Sequence, residues 1–371
     1  MMHCAERYGL FLGSSVLKIL FFVTLGLTSS AIYADGAEGG NLKTAPRFRG
    51  FNLGAVSHPS LAEEDYGDIS RYGANLVRIA VKAERCDGCE NFSIAADEWE
   101  YMENAVGMGR KYGFKVILVL TPMPEGQESV YWDRPELKKS LITIWAKVAA
   151  KFKGNPVIAG FDLINEPVQP KDRNVPVGTT EYWRPLAIAM IQAIRAVDPL
   201  VTIIFEPSPY ALPAGFWPSG VPLAPLPFPR IVYSFHFYIP YEVTCQGLPG
   251  YPGTHSYPSG DYTKALLSNY LEYIRLFTRA HELPIYVGEF SIVRWAPGDS
   301  VKQYLGDVID LIETEGWDWT YHSFREYEGW DPELTQSLPR GARGTRSASS
   351  KTIRLLVEKG FGKNLPLAVI Q

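Results

Sequence analysis

The sequence predicts an α/β protein, a single (β/α)8 TIM barrel, and three observations predict it. From about residue 45 to 365, eight short apolar runs alternate with longer stretches of helical character. Several of the runs are near-continuous Val, Ile, Leu and Phe rather than alternating with polar residues, as expected for parallel strands covered on both faces. The 371 residues are 46% hydrophobic and 20% charged, an ordinary globular composition and enough chain for one large barrel. There is no internal repeat, low-complexity linker or visible second domain.

The predicted strands, in order, are RFRGFNLG (47–54), ANLVRIAV (74–81), FKVILVL (114–120), VIAGFDLIN (157–165), LVTIIFE (200–206), RIVYSFHFY (230–238), LPIYVGEF (283–290) and WDWTYHSF (317–324). Amphipathic segments lie between them at about 61–72, 96–112, 135–153, 181–197, 261–282 and 300–315, with another after 348. The third of these shows why they read as helices. Pro135 stands near its start, Leu137, Leu141, Ile144, Trp145 and Val148 form one apolar stripe, and Gly154 stops it. Trp99 and Trp145 fall in such segments and read as core. The connection from the fifth to the sixth run, PSPYALPAGFWPSGVPLAPLPFP, is Pro-rich and lacks a clear helix.

In a barrel of this kind the working side chains come from the C-terminal ends of several strands, where the βα loops gather. Here the second run carries Arg78, the fourth ends in Asn165-Glu166, the sixth in His236 and Tyr238, and the seventh in Glu289. The eighth ends near His322, Arg325 and Glu326, and the first leads into His58. A lone histidine or arginine at a strand end is commonly a satisfied structural residue. Two glutamates that each end an apolar run, with an arginine and a histidine at other run ends, are harder to read that way. A buried carboxylate is costly unless it is paired, hydrogen-bonded or protonated. The fourth and seventh strands are expected on opposite sides of the barrel, so Glu166 and Glu289 would face each other across its mouth. Such a pair suits glycosidic-bond hydrolysis, in which one acid protonates the leaving oxygen while the other attacks the sugar carbon or activates water. No metal or cofactor is required. A metal-dependent hydrolase is disfavoured because no His-x-His or clustered Asp/His pattern ends a strand.

Residues 16–36 place Lys18 before an apolar segment of about a dozen residues, followed by small residues and Ala34, the layout of a cleaved secretory signal. The run is shorter than the ~20 residues that span a bilayer. We therefore expect residues 1–34 to be a signal peptide, residues 45–365 the barrel, and the protein to be secreted or periplasmic, free of the membrane after cleavage and monomeric. Cys86, Cys89 and Cys245 would remain, an odd count in a compartment that permits disulfides. The CDGC stretch lacks a second Cys/His pair at zinc spacing, so we read a loop-tying disulfide whose pairing is open. With a formal net charge of −4 and no basic run, nucleic acid and anionic membrane are poor partners.

RGFNLG, GANLVRIAV with its arginine, GFDLINEP, SFHFY and YVGEFS, in this order over about residues 45–330, together resemble glycoside hydrolase family 5, the cellulase family within the clan of retaining (β/α)8 glycosidases. The resemblance implies that Glu166 is the acid/base and Glu289 the nucleophile. Glu289 would be kept ionised by Arg78 and by donors such as Tyr238, whereas Glu166 would start protonated. Asn165 would bond the sugar 2-hydroxyl, and His236 would orient the acid/base or a sugar hydroxyl.

Two positions depart from the family pattern. The family commonly has a histidine at the end of strand three, where this chain has Thr121 and Pro122, and a tryptophan at the end of strand eight, where it has His322, with Trp330 further along. These positions shape the sugar site. Sugars stack their C–H faces on aromatic rings, and Tyr131, Trp132, Trp217, Trp295 and Trp330 all fall on the expected catalytic side, two or three of them as platforms. The expected partner is a polysaccharide or oligosaccharide. The reading is a secreted retaining enzyme acting on a β-linked glucan, endo-1,4 in style, with mannan, xyloglucan or a bacterial exopolysaccharide, exo-acting cleavage included, as alternatives. A non-catalytic carbohydrate-binding barrel is the reading of another class, and a binder has no use for a proton donor facing a nucleophile.

Overall fold

The computed structural model describes residues 47–54, 61–85, 91–123, 134–168, 183–335, 340–341 and 344–364. The proposed signal segment, His58, Tyr131, Trp132, Cys86 and Cys89 lie outside these. In chain order the elements are β1 (Arg49–Leu53), α1 (Glu63–Arg71), β2 (Leu76–Arg85), β3 (Phe92–Ser93), α2 (Ala96–Tyr112), β4 (Lys115–Met123), α3 (Pro135–Phe152), β5 (Ile158–Asp162) and α4 (Trp183–Val197). There follow β6 (Ile203–Phe205), β7 (Ile231–Phe237), α5 (Tyr241–Thr244), α6 (Lys264–His281), β8 (Ile285–Phe290), α7 (Ser300–Glu315), β9 (Asp318–Tyr321) and α8 (Lys351–Lys359).

Eight of the strands pair in parallel in the ring order β1-β9-β8-β7-β6-β5-β4-β2, and β1 closes on β2. This is the (β/α)8 barrel the periodicity predicts. Each predicted strand coincides with a barrel strand, and α2 and α7 run over the residues predicted for them. Their stops have a local cause: Gly113 and Gly316 take φ of 80° and 74°, the left-handed region that only glycine enters freely. Thr263 caps α6 by accepting the Leu266 N–H at 3.3 Å.

The differences are instructive. β2 and β4 pair from Leu76–Lys115 to Glu84–Met123, beyond the runs read from sequence. The extra length projects past the rim, where β3 pairs antiparallel to the β2 tip and supplies the hydrogen bonds the ring no longer provides. The Pro-rich connection after β6 forms only two short 3-10 turns. Phe216 in the first turn packs edge-on against Phe235 and Phe277, so it covers the β7 flank where a helix would otherwise lie. Trp145 is core, its Nε1 donating to the Leu163 carbonyl at 2.9 Å. Trp99 is half-buried: one side packs against the core as read from sequence, and it also lines a surface groove with Ser93, Glu136 and Lys139.

Along β2, Val77, Ile79 and Val81 pack under the helices. Leu76 points the other way and meets Ile117, Ile204 and Tyr286 inside the barrel. This period-two alternation turns Arg78, one step above Leu76, into the interior. The lower barrel is therefore filled with apolar side chains, and the charged layer sits above it, toward the C-terminal ends of the strands.

Candidate active site

Arg78 is the hub of that charged layer and is 1% exposed. Its Nε donates to Asp162 at 3.0 Å, and Nη1 donates to Asn52 Oδ1 at 3.0 Å and Glu289 Oε1 at 2.9 Å. Nη2 donates to Asn165 Oδ1 at 2.9 Å and Glu206 Oε1 at 2.7 Å. Burial disfavours the cation, yet Asp162, Glu206 and Glu289 outweigh it and hold Arg78 above its ordinary pKa. One guanidinium cannot neutralise three carboxylates. Burial and the charge of Glu206 accordingly push the Asp162 carboxyl well up, with Arg78 opposing.

Glu289, near the end of β8, accepts from Arg78 on one oxygen and from the Tyr238 hydroxyl at 2.8 Å on the other. Glu166 follows β5 with φ of 47°. Its Oε1 is 2.7 Å from His236 Nδ1, and the same nitrogen is 3.6 Å from Glu289 Oε2. One oxygen of each glutamate and one nitrogen of His236 lie within 4.8 Å of one another. Both glutamates are buried, at 5% and 4% exposure. The expectation of opposite sides is corrected: β5 and β8 are separated by β6 and β7, three steps around the ring. The acids meet because the side chains lean over the mouth, with His236 of β7 between them.

These three residues form the one grouping of metal-ligating type among the described residues. The Arg78 guanidinium, bonded to Glu289, already places a positive charge there and would repel a cation.

The other predicted residues gather around this pair to different degrees. Asn165 is half-buried, with its main chain tied to Leu120. His322 is 1% exposed, and its Nδ1 lies 3.7 Å from Glu289 Oε2. Trp330 is 4% exposed and packs edge-on against His322 at 5.1 Å and tilted against Tyr238 at 6.2 Å, forming the wall behind both. Trp295 is half-buried, its Nε1 donating to the Gln246 carbonyl at 2.7 Å. That loop follows Cys245, which is disulfide-bonded with its partner outside the described residues. Trp217 is half-buried beside the 3-10 turns. Arg325 is turned away, bonded to Asp65, Asp68 and Glu333, and ties α1 to the segment after β9.

Sequence reasoning missed Asn52, Asp162 and Glu206. Asn52 donates to the Gly288 carbonyl at 2.8 Å as well as accepting from Arg78. Glu206 accepts the Glu166 main-chain N–H at 2.6 Å. Its signal was present, since it ends the apolar run LVTIIFE as Glu166 and Glu289 end theirs. Gly288 also matters: a Cβ there would stand 2.7 Å from His236 Nε2 and 2.8 Å from Ser234 Oγ. Only glycine leaves room for the imidazole.

Fold and site define a (β/α)8 barrel with a buried carboxylate pair at the C-terminal mouth, the architecture of a glycoside hydrolase. Residues 37–328 match the family described as Cellulase (glycosyl hydrolase family 5). The chain belongs to glycosyl hydrolase family 5. Among curated relatives it is 23% identical to Endoglucanase C of Acetivibrio thermocellus over 289 residues, 68% of this chain and 80% of that protein. Among solved structures it superposes on endoglucanase Cel5A of Thermotoga maritima with a TM-score of 0.67 at 22% identity, covering 84% of this chain and 96% of that one. The cellulose synthase subunit Z of Clostridioides difficile superposes with 0.66 at 19% identity, covering 84% and 99%. At these identities the structural likeness speaks for the fold.

Proposed function

We propose that the protein is an exported retaining endo-β-glucanase that cleaves by double displacement. The observation that carries the mechanism is the approach of the two glutamates, with an oxygen of each within 4.8 Å. Direct attack needs carboxyl groups about 5 to 5.5 Å apart, whereas an interposed water needs about 6.5 Å or more. Glu289, held by Arg78 and Tyr238, attacks the anomeric carbon while Glu166 gives its proton to the departing glycosidic oxygen. A covalent glycosyl ester on Glu289 results. Glu166, now a carboxylate, takes a proton from water, the water oxygen bonds the anomeric carbon, and the ester breaks to return Glu289. Asn165, with its amide oxygen committed to Arg78, presents its amide nitrogen to the sugar 2-hydroxyl.

The β-glucan assignment is supported by the family and by the endoglucanases among the relatives. The second reading, the same chemistry on mannan, xyloglucan or an exopolysaccharide, is favoured by Thr121, Pro122 and His322, which stand where the family commonly has a histidine and a tryptophan. Cel5A of T. maritima, a barrel of this shape, has been solved with both cellobiose and mannotriose. Incubation with a panel of β-glucans, mannans and xyloglucan, with product lengths and anomeric configuration read at early times, decides between them. Internal cleavage of a β-glucan giving the β-anomer first is expected; an α-anomer first would overturn retention, and short products from mannan alone would overturn the glucan assignment. Export is a proposal from the N-terminal layout, and a mature chain still carrying residues 1–34 would remove it.

A further inference from the structure

Glu206 is fully buried directly after β6 and touches three parts of the site. Its Oε1 accepts from Arg78 Nη2 at 2.7 Å, and its Oε2 accepts from the Glu166 main-chain N–H at 2.6 Å. Oε1 is also 3.1 Å from His236 Nε2, without the alignment of a hydrogen bond. The Glu206 main chain is itself held, its carbonyl accepting from Trp183 Nε1 at 2.6 Å.

Two consequences follow. Glu166 sits at φ of 47°, a left-handed conformation that strains a side-chain-bearing residue. A carboxylate accepting its N–H is a charge-assisted bond that offsets this and aims the Glu166 side chain at the mouth. The second consequence concerns a proton. Of the two ring nitrogens, Nδ1 has the aligned carboxylate partner and Nε2 does not, so the proton that matters lies on the Nδ1 side of the ring. Nδ1 is 2.7 Å from Glu166 Oε1. One proton lies between these two atoms, and the negative charge of Glu206 beside the pair raises the cost of losing it.

We propose that Glu206 is a positioning residue for Glu166: it pins the Glu166 main chain and, by its charge, keeps a proton on the Glu166–His236 pair, from which the leaving group is protonated. The proposal rests on the reading of Glu166 as acid/base. The charged and titratable groups around His236 are Glu166, Glu206, Glu289 and Asp162, with Arg78 bonded to the last three and Tyr238 and His322 beyond Glu289.

The test is kinetic. Glu206→Gln should lower kcat/KM on an unactivated oligosaccharide by about 10- to 100-fold, lower it much less on a dinitrophenyl glycoside that needs no proton donor, and move the alkaline limb of the pH profile to lower pH. That direction follows because loss of the Glu206 charge makes the proton of the Glu166–His236 pair easier to remove. Glu206→Asp, which keeps the charge, should restore the limb toward its original position. Equal losses on both substrates with the limb unmoved would mean a merely structural role. Glu166→Ala is measured alongside: if it too loses both substrates equally, the acid/base reading itself is at fault, whereas a leaving-group effect in Glu166→Ala alone rejects Glu206.

Discussion

Glu289 and Glu166 are chemically the same side chain placed among different neighbours. Glu289 accepts from a guanidinium and a phenol, while Glu166 faces an imidazole nitrogen and has its main chain bound by another acid. The difference predicts different outcomes. Under the proposed mechanism Glu289→Gln replaces the attacking carboxylate with a neutral, non-nucleophilic amide and should abolish turnover on every substrate. Glu166→Ala should keep partial activity on aryl glycosides with good leaving groups, and added azide should raise it by occupying the vacated space. Steady-state kinetics on a nitrophenyl and an unactivated glycoside checks both; equal loss for the two variants on the activated substrate would sink the assignment. Both glutamates were legible because each ends an apolar run. Glu206 carries the same local signature, yet its partners are a main-chain amide 40 residues away and an arginine 128 residues away. Nothing near it in sequence announces them.

Between elements, the base of the barrel is tied by a charged clamp rather than by packing alone. Glu313 of α7 accepts from Arg49 Nε and Nη2 of β1 at 2.8 and 2.9 Å and from Trp319 Nε1 of β9 at 2.9 Å. Burial works to raise the Glu313 pKa, but these bonds and the charges of Arg49 and Arg47 outweigh it and hold the value below its ordinary 4.5. The unfolded chain therefore binds this proton at a higher pH than the folded one, and the stability it contributes is present above about 4.5 and is lost as pH falls through the lowered value. Glu313→Gln should cost about 1–3 kcal/mol at neutral pH, discounted for partial exposure, with the gap to the parent protein closing in acid. Urea titrations at several pH values measure it, and a gap independent of pH would reject the clamp. This tie was invisible beforehand, because Arg49 and Glu313 are 264 positions apart. The helices themselves were legible, since their stripes, prolines and terminal glycines are local.

For the whole molecule the decisive event is ring closure between β1 and β2. Gly50 pairs with Leu76 there, and a Cβ at residue 50 would fall 1.6 Å from the Leu76 carbonyl oxygen. No side-chain adjustment relieves a backbone clash of that size, so Gly50→Ala should cost more than about 3 kcal/mol or prevent folding. Soluble yield and urea denaturation read it; a variant as stable as the parent would show that closure does not depend on this approach. Closure also sets the site. It brings Arg78 of β2, Asn52 of β1 and Glu289 of β8 onto one network, although each belongs to a different strand.

What the sequence by itself determined is the barrel, the order of its strands and the two acids that end apolar runs, because buried parallel strands and helix boundaries are written in local composition. It also carried enough of the family's residues in order to name the family. Tertiary structure alone decided that the acids converge from strands three steps apart, that His236 stands between them, and that Asn52, Asp162 and Glu206 complete the network around Arg78. The reason is physical: a buried charge is stabilised by whatever groups the closed ring brings to it, and those neighbours come from separate strands whose distance along the chain says nothing of their distance in space.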